Sequence, residues 1–156
     1  LIRPAARRVT PCQRGHATPT MQELAAYAAI LTTYVTLNLA WVSLFAMEMY
    51  RRELSALLVD KPRAPMAGLF YLLHAVGVLI LAVQPALAGS DWTRAALSGA
   101  LFGLCTYGTY DLTNAATLRR WPGNLMMLDI TCGVIVTSIA SVAGFMVARL
   151  VATGAP

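Results

Sequence analysis

Four apolar stretches, at residues 24–46, 66–88, 93–118 and 124–150, constrain this chain more than any other feature of its sequence. Each supplies the roughly 20 residues that a membrane-spanning helix needs. The links between them are short and rich in helix-ending residues: Asp60-Lys61-Pro62-Arg63-Ala64-Pro65, then Gly89-Ser90-Asp91, then Arg119-Arg120-Trp121-Pro122-Gly123. No alternating apolar and polar pattern of barrel strands is present. In lipid every backbone donor of a segment must be satisfied within that segment, so helices are required. The expected fold is an all-α, integral membrane four-helix transmembrane bundle. Composition agrees, with 58% hydrophobic and 12% charged residues, against about 25% charged in ordinary soluble domains. A water-soluble enzyme, a secreted disulfide scaffold and a disordered tail are all excluded as default classes. The three cysteines, Cys12, Cys105 and Cys132, are odd in number and lack CxxC spacing, so no disulfide framework or zinc site follows.

The formal net charge of +5 divides unevenly along the chain. Residues 1–20 hold Arg3, Arg7, Arg8 and Arg14 with no acidic residue, and three prolines break any periodicity. They read as a disordered basic leader, an over-extended start upstream of Met21. The Arg7-Arg8 pair is no export signal, because the following apolar run is too long for a signal core. Residues 21–156 form the transmembrane domain, in which basic and acidic residues nearly balance. No nucleic-acid partner is therefore expected; the lipid bilayer is the expected partner. Arg51, Arg52, Lys61, Arg63, Arg119 and Arg120 fall in the first and third links, against Arg94 and Arg149 on the other side. By the positive-inside rule these links face the cytoplasm and both termini face the periplasm; counting the leader removes the asymmetry. Trp92 and Trp121 stand at span ends as interfacial anchors. Tyr50, Leu54, Leu57 and Leu58 make an apolar stripe in the first link, as an interfacial helix end would.

Ionisable residues inside a membrane are costly and carry most of the functional information. Asp111 lies nine positions before Arg120 and Asp129 nine after it. An antiparallel hairpin then brings both carboxylates to one depth. Asn38 precedes Met47 by nine residues and His74 follows Met66 by eight, so each span offers a polar side chain at a similar height. Asp111 shares a helical face with Ala96, Ala100, Gly103, Tyr107 and Asn114, and Asp129 with Cys132, Gly133, Val136 and Ala140. Small residues, including Gly99 and Gly103, allow close helix approach. The expectation is a pocket in the cytoplasmic half, lined by Asn38, His74, Tyr107, Asp111, Asn114 and Asp129.

Neutral polar residues such as Asn38, Asn114 and the tyrosines serve commonly as interhelical glue, worth around 0.6 kcal/mol each and up to about 1.7. His74 alone reads equally as a satisfied core histidine. Two aspartates would be far cheaper to bury as Asn or Ser if packing were their only task. Close together in low dielectric, they would share a proton and titrate as a pair. Such a site binds protons or a small cationic or hydroxylated ligand. A metal centre is not expected, since no Glu-x-x-His or His-x-x-x-His pair occurs among only two histidines. Cys105 and Cys132 sit among apolar neighbours, unsuited to nucleophilic catalysis. No phosphate-binding loop or nucleophile elbow appears, and no cofactor is expected.

Two stretches carry a family resemblance: Phe70-Tyr71-Leu72-Leu73-His74-Ala75-Val76-Gly77, and Tyr107-Gly108-Thr109-Tyr110-Asp111-Leu112-Thr113-Asn114 followed by Ala116-Thr117-Leu118-Arg119 and Trp121-Pro122. With Met47 to Pro65 and the general pattern from Ala25 to Ala148, the chain resembles a family of small bacterial inner-membrane proteins classed as a domain of unknown function with four predicted spans. The resemblance implies a multi-pass protein of the bacterial inner membrane and supplies no activity. It implies Asp at the position of Asn38 and Trp at that of Cys132 in many members, so this chain carries one carboxylate fewer.

Three functions compete on these residues. One is a binding or transport-type protein with a protonatable Asp111/Asp129 site. Another is a lipid- or fatty-acyl-modifying membrane enzyme. The third is an accessory subunit of a membrane complex. A homo-oligomer or a membrane-complex partner is compatible with the small size and minimal loops.

Overall fold

The computed structural model describes residues 21–55, 59 and 61–154. The expected leader lies outside the described residues, as do Leu57 and Leu58 of the interfacial stripe. The described residues form four long helices and no strand. Helix α1 runs Met21–Glu53 over 33 residues, α2 Ala64–Gly89 over 26, α3 Trp92–Thr117 over 26 and α4 Gly123–Gly154 over 32.

The sequence explains where these helices run and stop. No proline or glycine occurs between Met21 and Glu53, and the helix continues unbroken past the apolar stretch into Arg51-Arg52. It ends at Leu54, whose φ of −123° and ψ of 21° leave the helical region. Pro65 then occupies the first turn of α2, where its missing N–H costs nothing. Ser90 closes α2 in the left-handed region at φ 52°, ψ 34°. The next residue, Asp91, caps α3: its Oδ1 accepts from the Thr93 N–H at 2.9 Å and the Thr93 hydroxyl at 2.6 Å. These bonds, the hydroxyl's foremost, hold the Asp91 carboxyl below the usual carboxylate range.

Two segments depart from α geometry. Residues Val42–Ala46 of α1 and Leu79–Val83 of α2 are single π-helical turns. The second has a plain cause in Pro85, which lacks an N–H and would crowd the carbonyl four residues before it. The first contains neither proline nor glycine.

Three helices, α1, α2 and α4, are long and apolar enough to cross a membrane. The fourth, α3, equals α2 in length but is diluted by the Gly, Thr, Tyr, Asp and Asn of residues 103–114. A broad coat of Leu, Ile and Phe side chains stays uncovered, including Leu44, Leu73, Leu81, Leu97, Leu101 and Ile135. Uncovered apolar surface of that extent requires lipid as its solvent. The molecule is an all-α membrane bundle.

Helix α4 is the centre of packing, with its most extensive interfaces against α3 and α1. Small residues set the α3–α4 approach. A Cβ at Gly103 would stand 2.6 Å from the Gly133 carbonyl oxygen, and one at Gly99 would strike Ser141. Ser138 Oγ donates across to the Ala96 carbonyl at 3.0 Å. Gly144 admits Ile30 of α1 in the same manner. Helix α2 contacts the others less, chiefly α1 and α3, and leaves a groove beside α3.

Candidate functional site: a polar column beside an intramembrane cavity

The turn between α3 and α4 sets the height of the two aspartates. Asp111 lies six residues before Thr117 and Asp129 six after Gly123, each about 9 Å along its helix from the end of the hairpin. Asp111 is fully buried and Asp129 retains only 9% of its surface. They have different partners. Trp121 Nε1 donates to Asp111 Oδ1 at 3.1 Å, whereas Tyr50 donates its hydroxyl to Asp129 Oδ2 at 3.4 Å. Asp111 Oδ2 has no hydrogen-bond partner among the described residues, and the Trp41 indole N–H approaches Asp129.

Deeper in the bundle, a second set of groups is tied together. Asn38 Nδ2 donates to the Tyr107 hydroxyl at 2.9 Å, while Asn38 Oδ1 accepts from the Tyr71 hydroxyl at 2.9 Å. The Tyr107 hydroxyl also shares a 2.5 Å hydrogen bond with that of Tyr34. The Tyr107 ring lies over Gly133, one helical turn beyond Asp129. Deeper still, His74 Nε2 meets Thr137 Oγ1 at 3.2 Å. The His74 ring stacks on Tyr34, with centroids 4.1 Å apart and planes 15° from parallel. Thr137 is eight residues past Asp129 on α4, about 12 Å farther along the helix.

The polar residues expected at a similar height, one from each span, are thus graded in depth. Asp111 and Asp129 form the outer step, Asn38 and Tyr107 the middle one, and His74 the inner one. Nor do they line one chamber. A cavity of about 450 Å³ is bounded by Asn38, Val42, Tyr50, Phe70, Thr106, Tyr107, Tyr110 and Asp129, with every helix contributing. Asp111 is sealed beside it under Trp121, and Asn114 is half-buried outside the cavity wall, adjacent to Tyr110. His74 lines a separate groove of about 450 Å³ between α2 and α3, with Met66, Leu69, Phe70, Leu73, Phe102 and Thr106. Phe70 and Thr106 belong to both walls, so groove and cavity adjoin.

Positive charge is absent from the column. The ion pair found among the described residues joins Arg52 to Glu48 at 2.8 Å on the exposed end of α1. No cluster of three His, Cys, Asp or Glu side chains suited to a metal occurs among the described residues.

A family model described as "Predicted membrane protein (DUF2177)" matches residues 23–146. The chain belongs to this family. The match reaches into all four helices and includes every residue of the polar column and the cavity wall. No curated protein and no solved structure matches the chain.

Val42, Tyr50, Phe70, Thr106 and Tyr110 are the cavity residues that sequence reasoning missed, and the two tyrosines among them bear on its chemistry. Tyr50 reads from its neighbours as part of an interfacial stripe, and only the continuation of α1 through a π turn carries it to Asp129. Tyr110 precedes Asp111 directly, so helical phase alone assigns it to another face. Trp121 differs too: its indole N–H turns inward to Asp111, while Trp92 stays 53% exposed as an anchor would.

Proposed function

We propose that this DUF2177 protein binds a small ligand or protons in the intramembrane cavity, with Asp129 as the protonatable anchor. The observation that carries this reading is a buried carboxylate bordering a cavity built by all four helices, with no Lys, Arg or His on the cavity wall to neutralise it. A carboxylate kept only for packing would be replaced at lower cost by a neutral side chain. The Asn38–Tyr107–Tyr34–Tyr71 network stiffens the opposite wall, and Asp111 adds a second carboxyl behind the first. The π turn at Val42–Ala46 lies between two wall residues, Asn38 and Tyr50, and such turns concentrate at functional sites.

The same reading takes α3 as a fourth span, supported by its length and its extensive packing against α4. It takes the arginine-bearing links as cytoplasmic in a bacterial inner membrane, supported by their basic residues.

The test is reaction with dicyclohexylcarbodiimide, an apolar reagent that modifies protonated carboxyls within membranes. In lipid nanodiscs, Asp129 should form the adduct, and its yield should fall as pH rises and the carboxyl ionises. Asp111, under Trp121, should remain unmodified. Absence of an Asp129 adduct at every pH would remove the proposed site.

A further inference from the structure

The cavity wall has a specific chemistry. Its aromatic members are Tyr50, Phe70, Tyr107 and Tyr110; its one ionisable acid is Asp129, and the amide of Asn38 completes the polar side. Neither Lys, Arg nor His lines it. Aromatic faces carry negative potential and attract ammonium groups, most strongly where water is excluded. An ionised Asp129 at the same place adds formal charge of the same sign. Every fixed charge and quadrupole in reach therefore favours a cation. The aromatic walls suit an organic ammonium rather than a metal ion, for which oxygen and imidazole ligands would have to converge.

The adjoining groove supplies the second half of the argument. Met66, Leu69, Leu73 and Phe102 make it apolar, and it meets the cavity at Phe70 and Thr106. On α2, Leu69, Phe70 and Leu73 are exposed on the bundle surface, where the surrounding medium is lipid. An acyl or alkyl chain in that groove would place a head group beside the tyrosines and Asp129. We infer that the site accepts an amphiphilic organic cation, its ammonium head among Tyr50, Tyr107, Tyr110 and Asp129 and its hydrocarbon chain in the α2–α3 groove. This inference rests on the cavity being a ligand site and adds the class of ligand and its route from the bilayer.

The decisive experiment is calorimetric titration of the protein in zwitterionic nanodiscs with hexyltrimethylammonium, hexanol and hexyl sulfate, using empty discs as blanks. Hexyltrimethylammonium should bind saturably, about ten-fold or more tighter than hexanol, a difference of roughly 1.4 kcal/mol; hexyl sulfate should not bind. Asp129→Asn should abolish the preference for the cation. Leu73→Trp, which fills the groove, should weaken hexyltrimethylammonium while leaving tetramethylammonium unchanged. Equal binding of hexanol, binding of hexyl sulfate, or no saturable binding of the ammonium would each overturn the inference. Carbodiimide labelling of Asp129 in the same discs separates the two levels. If labelling persists without selective ammonium binding, the cavity remains a proton site and only the ligand class falls.

Discussion

The Trp121 indole N–H is hydrogen-bonded to Asp111 Oδ1 at 3.1 Å, from the turn that joins α3 to α4 back into α3. The bond spans ten residues and closes the hairpin over a carboxylate whose other oxygen is already unpartnered. Trp121→Phe keeps an aromatic ring, smaller than the indole that packs edge-on against Tyr110 at 5.9 Å, and deletes the donor. Leaving a buried acceptor unpaired costs about 1–3 kcal/mol. The variant should unfold earlier in detergent by that amount, and Asp111→Asn in the same background should recover part of the loss by removing the charge. Unchanged thermal unfolding of Trp121→Phe would show that the bond contributes nothing.

Gly133 and Gly108 make a controlled pair on facing helices. A Cβ at Gly133 would enter the Tyr107 ring, whereas one at Gly108 meets nothing within 4 Å. Gly133→Ala should destabilise by about 1–3 kcal/mol through overpacking and loosen the Tyr107–Asn38 contact. Gly108→Ala should be neutral or stabilise by up to about 1 kcal/mol through helix propensity. Paired melting curves decide the matter; equal shifts would mean that the α3–α4 approach is not set at Gly133.

Ser90 holds a left-handed conformation at φ 52° without being glycine. Removing the Cβ relieves a penalty of about 1 kcal/mol, part of which is returned to the greater freedom of the unfolded chain. Ser90→Gly should therefore raise the melting temperature slightly, and Ser90→Val should lower it by more. A stabilising effect of Val would contradict the assigned turn.

At the same turn, the depressed pKa of Asp91 fixes the sign of a pH effect. A carboxyl whose folded pKa lies below its unfolded value contributes stability above the unfolded pKa and loses it as pH falls through the folded one. The Asp91–Thr93 cap should accordingly persist at neutral pH and open in acid. Amide exchange in the first turn of α3, corrected for intrinsic rates, should accelerate relative to mid-helix amides as the carboxyl protonates. In Asp91→Ala that additional acid sensitivity should be absent.

Helix number, approximate ends and the equal height of the two aspartates were legible because they depend on local features. Apolar length, the prolines and glycines of the links, and symmetric spacing about one hairpin turn suffice for them. The depth of His74 was not legible, because it depends on how far α2 slides against α3 and α4. That offset is fixed by the contacts of Gly77 with Phe102 and of His74 with Thr137, which no spacing within α2 reveals. The division into a cavity and a separate groove follows from the same offset, since it places His74 behind Phe70 rather than beside Asp129. Pro85 accounts for the irregular turn of α2 once it is seen, while Val42–Ala46 carries no comparable mark.

That unmarked turn has a consequence for how the chain tolerates change. Asn38 and Tyr50 are twelve residues apart, and in an uninterrupted α-helix they would point about 120° away from each other. A π turn absorbs roughly one extra residue, which brings that angle down to about 20°. Val42–Ala46 thus behaves as a one-residue insertion that clocks the end of α1 onto the bundle. Forcing the full-length segment into α geometry would rotate Tyr50 by about 100° off Asp129 and swing Arg51 and Arg52 to a new azimuth. Deleting one of its residues would instead restore plain α-helix with Tyr50 still in place. The angle between Asn38 and Tyr50, more than the length of the segment between them, is what the fold has to preserve.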